Sequence, residues 1–352
     1  MVINSYSGII HIHTDTIDTN NKDVFSLLKE AIESAKPDFC IIADNNSRQY
    51  LKEYGEHIVS GCTILSGIEI THTDDEGNHI LALNASAGFE IQNEPQKNID
   101  ALNAANALSF ICHPVKFEKN FFLPKDVSWK KWDAVNFTGI EIWDYMSYFL
   151  KELSFSSILI YSLFPKWVVN EPAGEAIAKW EEINRLKKCP AIGSVDARLK
   201  KFIPFFFNKV FNYNFLFNTI RTNIFTDKEL TCDIGCNKNI IYSALKKGNS
   251  YIVNYEVGNP ANFRFYAEYN KKTYIPGNTV NIDQGFKIIF SIKTPMECEI
   301  TLFCNYEIIA CAIDNDLDYI TDMPGNYRVE ISYAKRKWIL TNFIYVKKNI
   351  SG

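Results

Sequence analysis

The sequence lacks the features that mark a secreted, disulfide-stabilised or membrane-spanning protein. Its first residues, MVINSYSGII, have no basic start followed by an apolar core, so no secretion signal is expected. The most apolar stretches, FSSILIYSLF (155–164) and FIPFFFNKVFNYNFLF (202–217), are too short or too interrupted for a bilayer span of about 20 residues. The nine cysteines are scattered and are expected to be reduced thiols. The sequence thus predicts a cytoplasmic protein with no membrane partner.

The sequence also lacks a large excess of charge of one sign. The formal net charge is −4 and the charged residues form no blocks, which argues against a nucleic-acid-binding surface. We therefore expect a small-molecule substrate and no nucleic-acid partner. A chain of 352 residues that is 47% hydrophobic is long and apolar enough for one large domain or two ordinary ones.

Up to about residue 252, short apolar strands alternate with helical segments. Helices are predicted at 23–36, 174–188 and 240–248. The predicted strands are GIIHIH (8–13), FCIIA (39–43), TILSGIEI (63–70), HILAL (79–83), LSFIC (108–112), GIEIW (139–143) and AIGSV (191–195). This alternation predicts an α/β layer or barrel with a largely parallel sheet. Strands 63–70 and 79–83 should form an antiparallel hairpin, because the turn between them is too short for a crossover helix.

From about residue 258 the pattern changes to alternating strands separated by turn dipeptides such as Pro276-Gly277 and Pro324-Gly325. The predicted strands are FRFYAEY, KIIFSIK, ECEITLFC, EIIACAI, YRVEISY and WILTNFIYV. They predict a small all-β sandwich over residues 258–350, after an α/β domain over residues 1–252. The second region has no histidine, so any histidine chemistry belongs to the first.

Imidazoles and carboxylates lie at the ends of several predicted strands. His11 and His13 close the first strand and should share a face, because side chains on a strand alternate. The other strand-end residues are Asp44, Glu69, His79, His113 and Asp196. The carboxyl ends of the strands form the functional rim of α/β sheets and barrels. One such histidine is usually structural, but the joint pattern favours a metal site.

The ordered set of motifs resembles the polymerase-and-histidinol-phosphatase (PHP) superfamily of metal-dependent phosphoesterases. The matching segments, over roughly residues 8–200, are HIHTDTID, ADNN, GIE, GNHILAL, CHP and VDAR. More loosely, GIEIWDYMS, KWEEINRL, RTNIF and WILTNFIYV resemble a branch with a C-terminal β-sandwich, some members of which hydrolyse carbamates or esters. The resemblance implies a distorted seven-stranded (β/α) barrel.

The resemblance also implies two divalent transition metal ions, of which the donor types admit Zn, Mn or Fe. The implied ligands of the first ion are His11, His13, Glu69 and Asp196, and those of the second are Glu69, His79 and His113. Glu69 would bridge the ions and Asp196 would orient a metal-bridging hydroxide. Asp44 and Asp18 are expected to contact the imidazoles from outside and fix their tautomers.

A third metal, present in some relatives, would fall at Asp18, Asn45 and Arg198. Asparagine is a poor ligand for a transition metal, and an always-protonated arginine is none. We therefore expect two metals, with the Arg198 guanidinium in place of the third and able to hold a substrate oxyanion. The alternative is a decayed site in which Arg198 only pairs with Asp18.

The function expected from these residues is that of a metal-dependent hydrolase, foremost a phosphoesterase acting on a small phosphorylated substrate. A hydroxide at a two-metal centre also serves carboxylic esters, carbamates and amides, so such a hydrolase is an alternative. The changes at Asn45 and Arg198 also permit a non-catalytic binding protein that keeps the fold.

Overall fold

The computed structural model describes residues 3–14, 23–72, 77–86, 88–118, 120–122, 125–198 and 212–349. Helices and strands alternate in the first part of the chain, and strands follow almost exclusively from residue 264 on. The architecture is mixed α/β with a large sheet. No helix in the described ranges is long and apolar enough to cross a membrane.

The first part of the chain contains ten strands and eight helices among its described residues. The strands are β1 (Asn4–Ile12), β2 (Phe39–Ile42), β3 (His57–Val59), β4 (Cys62–Ile70), β5 (Ile80–Leu83), β6 (Leu108–Ile111), β7 (Gly139–Asp144), β8 (Ala191–Ser194), β9 (Ile220–Thr226) and β10 (Ser250–Asn254). The helices are α1 (Val24–Ala35), α2 (Gln49–Tyr54), α3 (Pro95–Ala104), α4 (Tyr145–Glu152), α5 (Ile158–Leu163), α6 (Gly174–Leu186), α7 (Tyr213–Leu216) and α8 (Ile234–Lys247), with a 3₁₀ turn at Pro165–Trp167.

Seven of these strands pair in a closed succession. Strand β2 pairs in parallel with β1 and with β4. Strand β5 pairs antiparallel with β4 and with β6. Strand β7 pairs in parallel with β6 and with β8. The backbone N–H groups of Val195 and Ala197 donate to the carbonyls of Ile10 and His11 at 3.2 and 3.0 Å, which returns the end of β8 to β1. The expected hairpin of β4 and β5 is present. The carboxyl ends of β1, β4, β6 and β8 consequently lie on one rim.

The apolar runs form strands because both of their faces are buried. Ile10 packs with Ile41, Leu65 and Phe110 on one face of the sheet. Ile9 packs in a second core on the other face, where α1 and α6 cover the strands. A strand buried on both faces reads as a continuous apolar run, which is why these segments could be recognised in the sequence.

The last part of the chain is built from strands around a core that also includes Phe225, Tyr251 and Val253 of β9 and β10. These are β11 (Arg264–Tyr269), β12 (Lys272–Tyr274), β13 (Thr279–Ile282), β14 (Ile288–Cys304), β15 (Glu307–Thr321), β16 (Gly325–Tyr333), β17 (Arg336–Thr341) and β18 (Ile344–Lys348). Their core includes Phe265, Ile300, Val329 and Ile344. Since β10 pairs with both β9 and β17, the sheet continues from the first part into this one. A division into domains of residues 1–252 and 258–350, the second a sandwich, stays a prediction.

Two of the predicted C-terminal strands belong to a single strand in the structure, and one predicted strand is divided into two. The segments KIIFSIK and ECEITLFC both belong to β14, whose register with β15 shifts between Lys293 and Cys298. Pro295 lies in this interval and has no N–H to donate, so the strand continues through an irregularity that looks like a break in the sequence. The segment WILTNFIYV divides into β17 and β18, which both pair with β16. Strand β17 also pairs with β10, and β18 also pairs with β13.

Candidate metal centre

The backbone at the rim is held in an uncommon conformation at three of the expected site residues. His11 lies where the register of β1 with β2 shifts between Ile10 and Ile12, and its φ is 69°. His113 and Asp196, which follow β6 and β8, have φ of 48° and 42°. Left-handed backbone at a non-glycine residue costs about 1–3 kcal/mol and concentrates at functional sites. Here it turns the side chains at the strand ends toward one another.

The first group of side chains consists of His11, His13, Glu69 and Asp196. Glu69 Oε2 lies 3.5 Å from His11 Nε2 and 3.4 Å from His13 Nε2. Asp196 Oδ1 lies 2.9 Å from His13 Nε2 and 3.8 Å from His11 Nε2. All four side chains are buried, and their donor atoms lie within 4.8 Å of one another. The expected sharing of one face by His11 and His13 is seen in ring centroids 5.0 Å apart.

The second group consists of Glu69, His79 and His113. Glu69 Oε1 lies 2.8 Å from His79 Nδ1 and 3.4 Å from His113 Nε2. The Glu69 carboxylate therefore has one oxygen in each group. Both groups contain the residues that the motifs brought together, and both have the nitrogen and oxygen donors that divalent transition metals take.

Two acids of β7, Glu141 and Asp144, contact the Nδ1 atoms of His11 and His113. Glu141 Oε1 lies 2.7 Å from His11 Nδ1, and Asp144 Oδ2 lies 3.0 Å from His113 Nδ1. An ionised acid accepts the Nδ1–H, which leaves the lone pair on Nε2. Sequence reasoning did not assign either acid a role. The sequence does contain a sign of their role, because Glu141 and Asp144 are two acids in the otherwise apolar strand GIEIWD.

The buried Nε2 atom of His11 has no hydrogen-bond partner. With Nδ1–H directed to Glu141, its lone pair lies near the oxygens of Glu69 and Asp196. Arg198 donates to both of those oxygens and supplies positive charge beside them, but His11 Nε2 has no partner. An unpartnered imidazole nitrogen beside two carboxylate oxygens fits the donor set of a bound cation.

The pKa values show the same preference for positive charge. Burial lowers the pKa of His11, but Glu141, Glu69 and Asp196 outweigh it and raise that pKa well above its usual value. For the Glu69 carboxyl, burial by itself raises the pKa. The Arg198 guanidinium and the imidazoles of His11 and His79 outweigh burial and hold that pKa well below its ordinary range. The carboxylates thus stay ionised and attract either protons on the imidazoles or a metal ion in their place.

Arg198 lies against both of the carboxylates in the first group. Its Nη2 donates to Glu69 Oε2 at 2.6 Å and its Nε donates to Asp196 Oδ1 at 3.0 Å. Asn45 Nδ2 lies 3.5 Å from His13 Nδ1. Asp18, the remaining residue of the expected third site, lies outside the described residues.

Asp44, directly after β2, is buried and contacts Thr14. Its Oδ2 accepts the Thr14 hydroxyl at 2.7 Å, and its Oδ1 accepts the Thr14 backbone N–H. Asp44 thus holds the chain just after β1, whereas Glu141 and Asp144 contact His11 and His113. Glu141 and Asp144 thus contact the Nδ1 atoms of His11 and His113, and the expected role of Asp44 stays a prediction.

Because Glu141 orients His11, we expect Glu141→Gln to weaken metal binding by about 10- to 100-fold. An amide can present either its oxygen or its NH₂ to Nδ1, so the tautomer with a free Nε2 is no longer enforced. Titration of the metal-free protein with Zn²⁺ or Mn²⁺ measures the affinity. Glu182→Gln, an exposed change on α6, is the control and should bind as wild type does. Equal affinities of the Glu141→Gln and wild-type proteins would refute the positioning role.

No protein-family model matches the sequence, and no curated protein matches it. The solved structures to which the chain is similar at low identity include two endonuclease structures. The lesion-specific endonuclease PfuEndoQ from Pyrococcus furiosus gives a TM-score of 0.40 at 12% identity over 70% of this chain. Endonuclease Q in complex with a 27-mer duplex substrate with an abasic lesion gives 0.38 at 10% identity, again over 70% of this chain. This chain spans 56% of each of those chains.

This comparison corrects one expectation. We expected no nucleic-acid partner, but both similar structures are endonucleases and one contains a duplex substrate. The expectation rested on the weak net charge of the whole chain, and net charge averages over surfaces of opposite sign.

Proposed function

We propose that the chain is a metal-dependent hydrolase of the PHP type that acts on phosphoesters. The seven paired strands would be its distorted barrel, and the site would hold two divalent ions. The observation that carries the proposal is the position of Glu69. Its Oε2 faces His11 and His13 while its Oε1 faces His79 and His113, so this one carboxylate could supply an oxygen to each of two ions.

His11, His13, Glu69 and Asp196 would hold one ion, and Glu69, His79 and His113 the other. Such ions lower the pKa of a bound water and polarise the electrophilic oxygen of a substrate. The chain supplies a rigid set of donors for them. Glu141 would direct the Nδ1–H of His11 and Asp144 that of His113, so each Nε2 would be oriented toward the ions. A metal ion would displace any proton that Nε2 carries.

Asp196 and Arg198 are the residues proposed to act on the reacting groups. Asp196 would orient the nucleophile through the oxygen that does not ligate. Arg198 contacts the carboxylates of both Glu69 and Asp196 and is one-fifth exposed, so its guanidinium lies between the buried donors and the solvent. When ions take up those carboxylates, Arg198 would be the group that holds a substrate oxyanion, as a third ion would otherwise do.

The proposal is tested by metal removal combined with a substrate panel. The panel contains a chromogenic phosphomonoester, a chromogenic phosphodiester, an aryl ester and a duplex oligonucleotide with an abasic site. We expect hydrolysis of at least one phosphoester, its loss on chelation, and its return with Zn²⁺, Mn²⁺ or Fe²⁺. His11→Ala should abolish it, while His57→Ala, which changes an imidazole on β3, should not.

The other outcomes separate the alternatives. Turnover of the aryl ester alone would overturn the phosphoester assignment and favour a carboxylic ester, carbamate or amide hydrolase. Tight metal binding without turnover of any substrate would favour a non-catalytic binding protein. Cleavage of the oligonucleotide alone would keep the phosphoester chemistry and make nucleic acid the substrate.

A further inference from the structure

Strand β15 forms a long open edge of the sheet. It spans 15 residues, Glu307–Thr321, and within the described part of the chain its residues pair with β14 alone. Strands β3, β12 and β13, which also pair with a single strand, have only three or four residues. The backbone N–H and C=O groups along an open edge are a template for another strand. The ligand that β15 fits is therefore an extended peptide segment.

The first half of β15 is apolar and uncharged. Residues 308–313, which we call the apolar edge, read IIACAI and contain no proline or glycine. The side chains of Ile308 and Ile313 are 61% and 77% exposed, and Cys311 is exposed as well. β-Branched residues favour strands, and a six-residue segment of this composition associates with copies of itself when its edge is open. The apolar edge is thus the part of β15 that is suited to an interface.

The second half of β15 is acidic and restricts how a partner strand can lie. Asp314, Asp316 and Asp318 are exposed, and no basic residue in the described ranges forms an ion pair with them. Like charges directly opposite one another destabilise a pair of strands. When two copies of β15 pair antiparallel, every register centred on a residue of 314–318 places acids opposite acids. Registers centred on the apolar edge avoid this, so the acids select where two copies meet.

A basic side chain at the end of the β14–β15 hairpin complements these acids. In an antiparallel register centred on Cys311, Asp316 of each strand lies close to Tyr306 of the other copy. The Arg185 guanidinium lies over the Tyr306 ring, 4.6 Å from its centroid. Arg185 is exposed and has no ion pair with an acid among the residues that the structure describes. A second copy of the chain therefore brings an arginine to the acidic half of each strand, twice by symmetry.

We propose that two copies of the chain associate through the apolar edge, as antiparallel strands related by a two-fold axis. The two sheets would join into one, and the exposed side chains of Ile308 and Ile313 would be covered. A symmetric contact of this kind closes on itself, whereas head-to-tail pairing would continue into a filament. The proposal does not rest on the hydrolase chemistry, because the candidate metal ligands all lie in the first part of the chain.

The test is sedimentation velocity of the purified full chain between about 1 and 100 μM, the range in which a reversible dimer of ordinary affinity dissociates. We expect a dimer that dissociates on dilution. Ile308→Asp/Ile313→Asp should weaken the association at least about tenfold, because it removes apolar burial and extends the acids into the paired segment. Ile320→Asp is the matched control. Ile320 is 57% exposed on the same strand but lies outside the apolar edge, so this variant should associate as the wild type does.

A second measurement locates the contact. A bismaleimide, to which each thiol adds across a double bond to form a thioether, should join two copies through Cys311. Cys232→Ser/Cys236→Ser removes the other exposed thiols and serves as the background. The further change Cys311→Ser should abolish the cross-link. Arg185→Glu should weaken the association about fivefold, the range expected for the loss of exposed ion pairs.

A thermal melt checks that each variant folds, which is expected because the altered side chains are exposed. His11→Ala should associate as the wild type does, which separates association from the proposed activity. A chain that stays monomeric up to about 100 μM would overturn the proposal and point to a strand of another protein as the occupant of the edge. A dimer that Ile308→Asp/Ile313→Asp does not weaken would also overturn it.

Discussion

The Glu69→Gln variant is expected to lose both metal binding and hydrolysis. Glu69 is the one side chain shared by the two ligand groups, and each of its oxygens lies within 3.5 Å of imidazole nitrogens. An amide has a single acceptor oxygen and no charge, so it cannot serve two ions at once. The loss of metal affinity should exceed about 100-fold, the upper range for losing an outer hydrogen-bond partner of a ligand.

Metal content of the purified variant and kcat/KM on the phosphoester identified by the panel measure this effect. Glu268→Gln on β11 is the control, because Glu268 is exposed and far along the chain from the rim. The variant should fold, since it removes a buried charge rather than a packed apolar group. Two ions per chain retained by a folded Glu69→Gln protein would contradict the bridging role.

Arg198→Met is expected to lower kcat/KM on the phosphoester by about 10²–10³-fold, the usual cost of removing one donor that stabilises transition-state charge. Metal content should change little, because arginine is not a ligand. Arg198→Lys should recover part of the rate, since it keeps the charge but not the fork of donors. Arg185→Met, an exposed change on α6, should leave the rate unaltered.

A purely structural Arg198 makes a different prediction. If it only neutralises Glu69 and Asp196, Arg198→Met would lower the thermal stability and the metal-loaded rate would be unchanged. A second measurement addresses the third site directly. Asn45→His/Arg198→His should bind a third ion per chain, whereas the wild type should bind no more than two. Three tightly bound ions in the wild type would rule out replacement of the third ion by arginine.

The strands of the first part could be predicted because their signal is local. β1, β2, β4 and β6 are short apolar runs, and their burial on both faces requires little more than their own composition. The antiparallel partner of β4 followed from the length of one turn. Helix α8 was predicted from residue 240 but begins at Ile234, since Asp233 caps it by accepting the Cys236 N–H. This cap is a hydrogen bond between a polar side chain and a backbone N–H, so the periodicity of apolar residues gives no sign of it.

The ends of the C-terminal strands were harder to predict. In β14 a proline and a polar stretch resemble a turn, yet neighbouring strands on both sides keep the segment extended. Strand β10 was not predicted as a link between the two parts, because its pairing with β9 and β17 joins residues far apart in the chain. Pairing between distant segments leaves no periodic trace in either of them.

The sequence by itself determined which residue types stand at the strand ends, and hence the expectation that His11, His13, Glu69, His79, His113 and Asp196 meet. Strand direction alone carries that expectation. Only the tertiary structure decided how they meet. The irregularity at His11, the division of Glu69's oxygens between two groups, and the orientation of His11 by Glu141 depend on contacts between β1, β4 and β7. Such contacts are set by the packing of whole strands, which no short motif specifies.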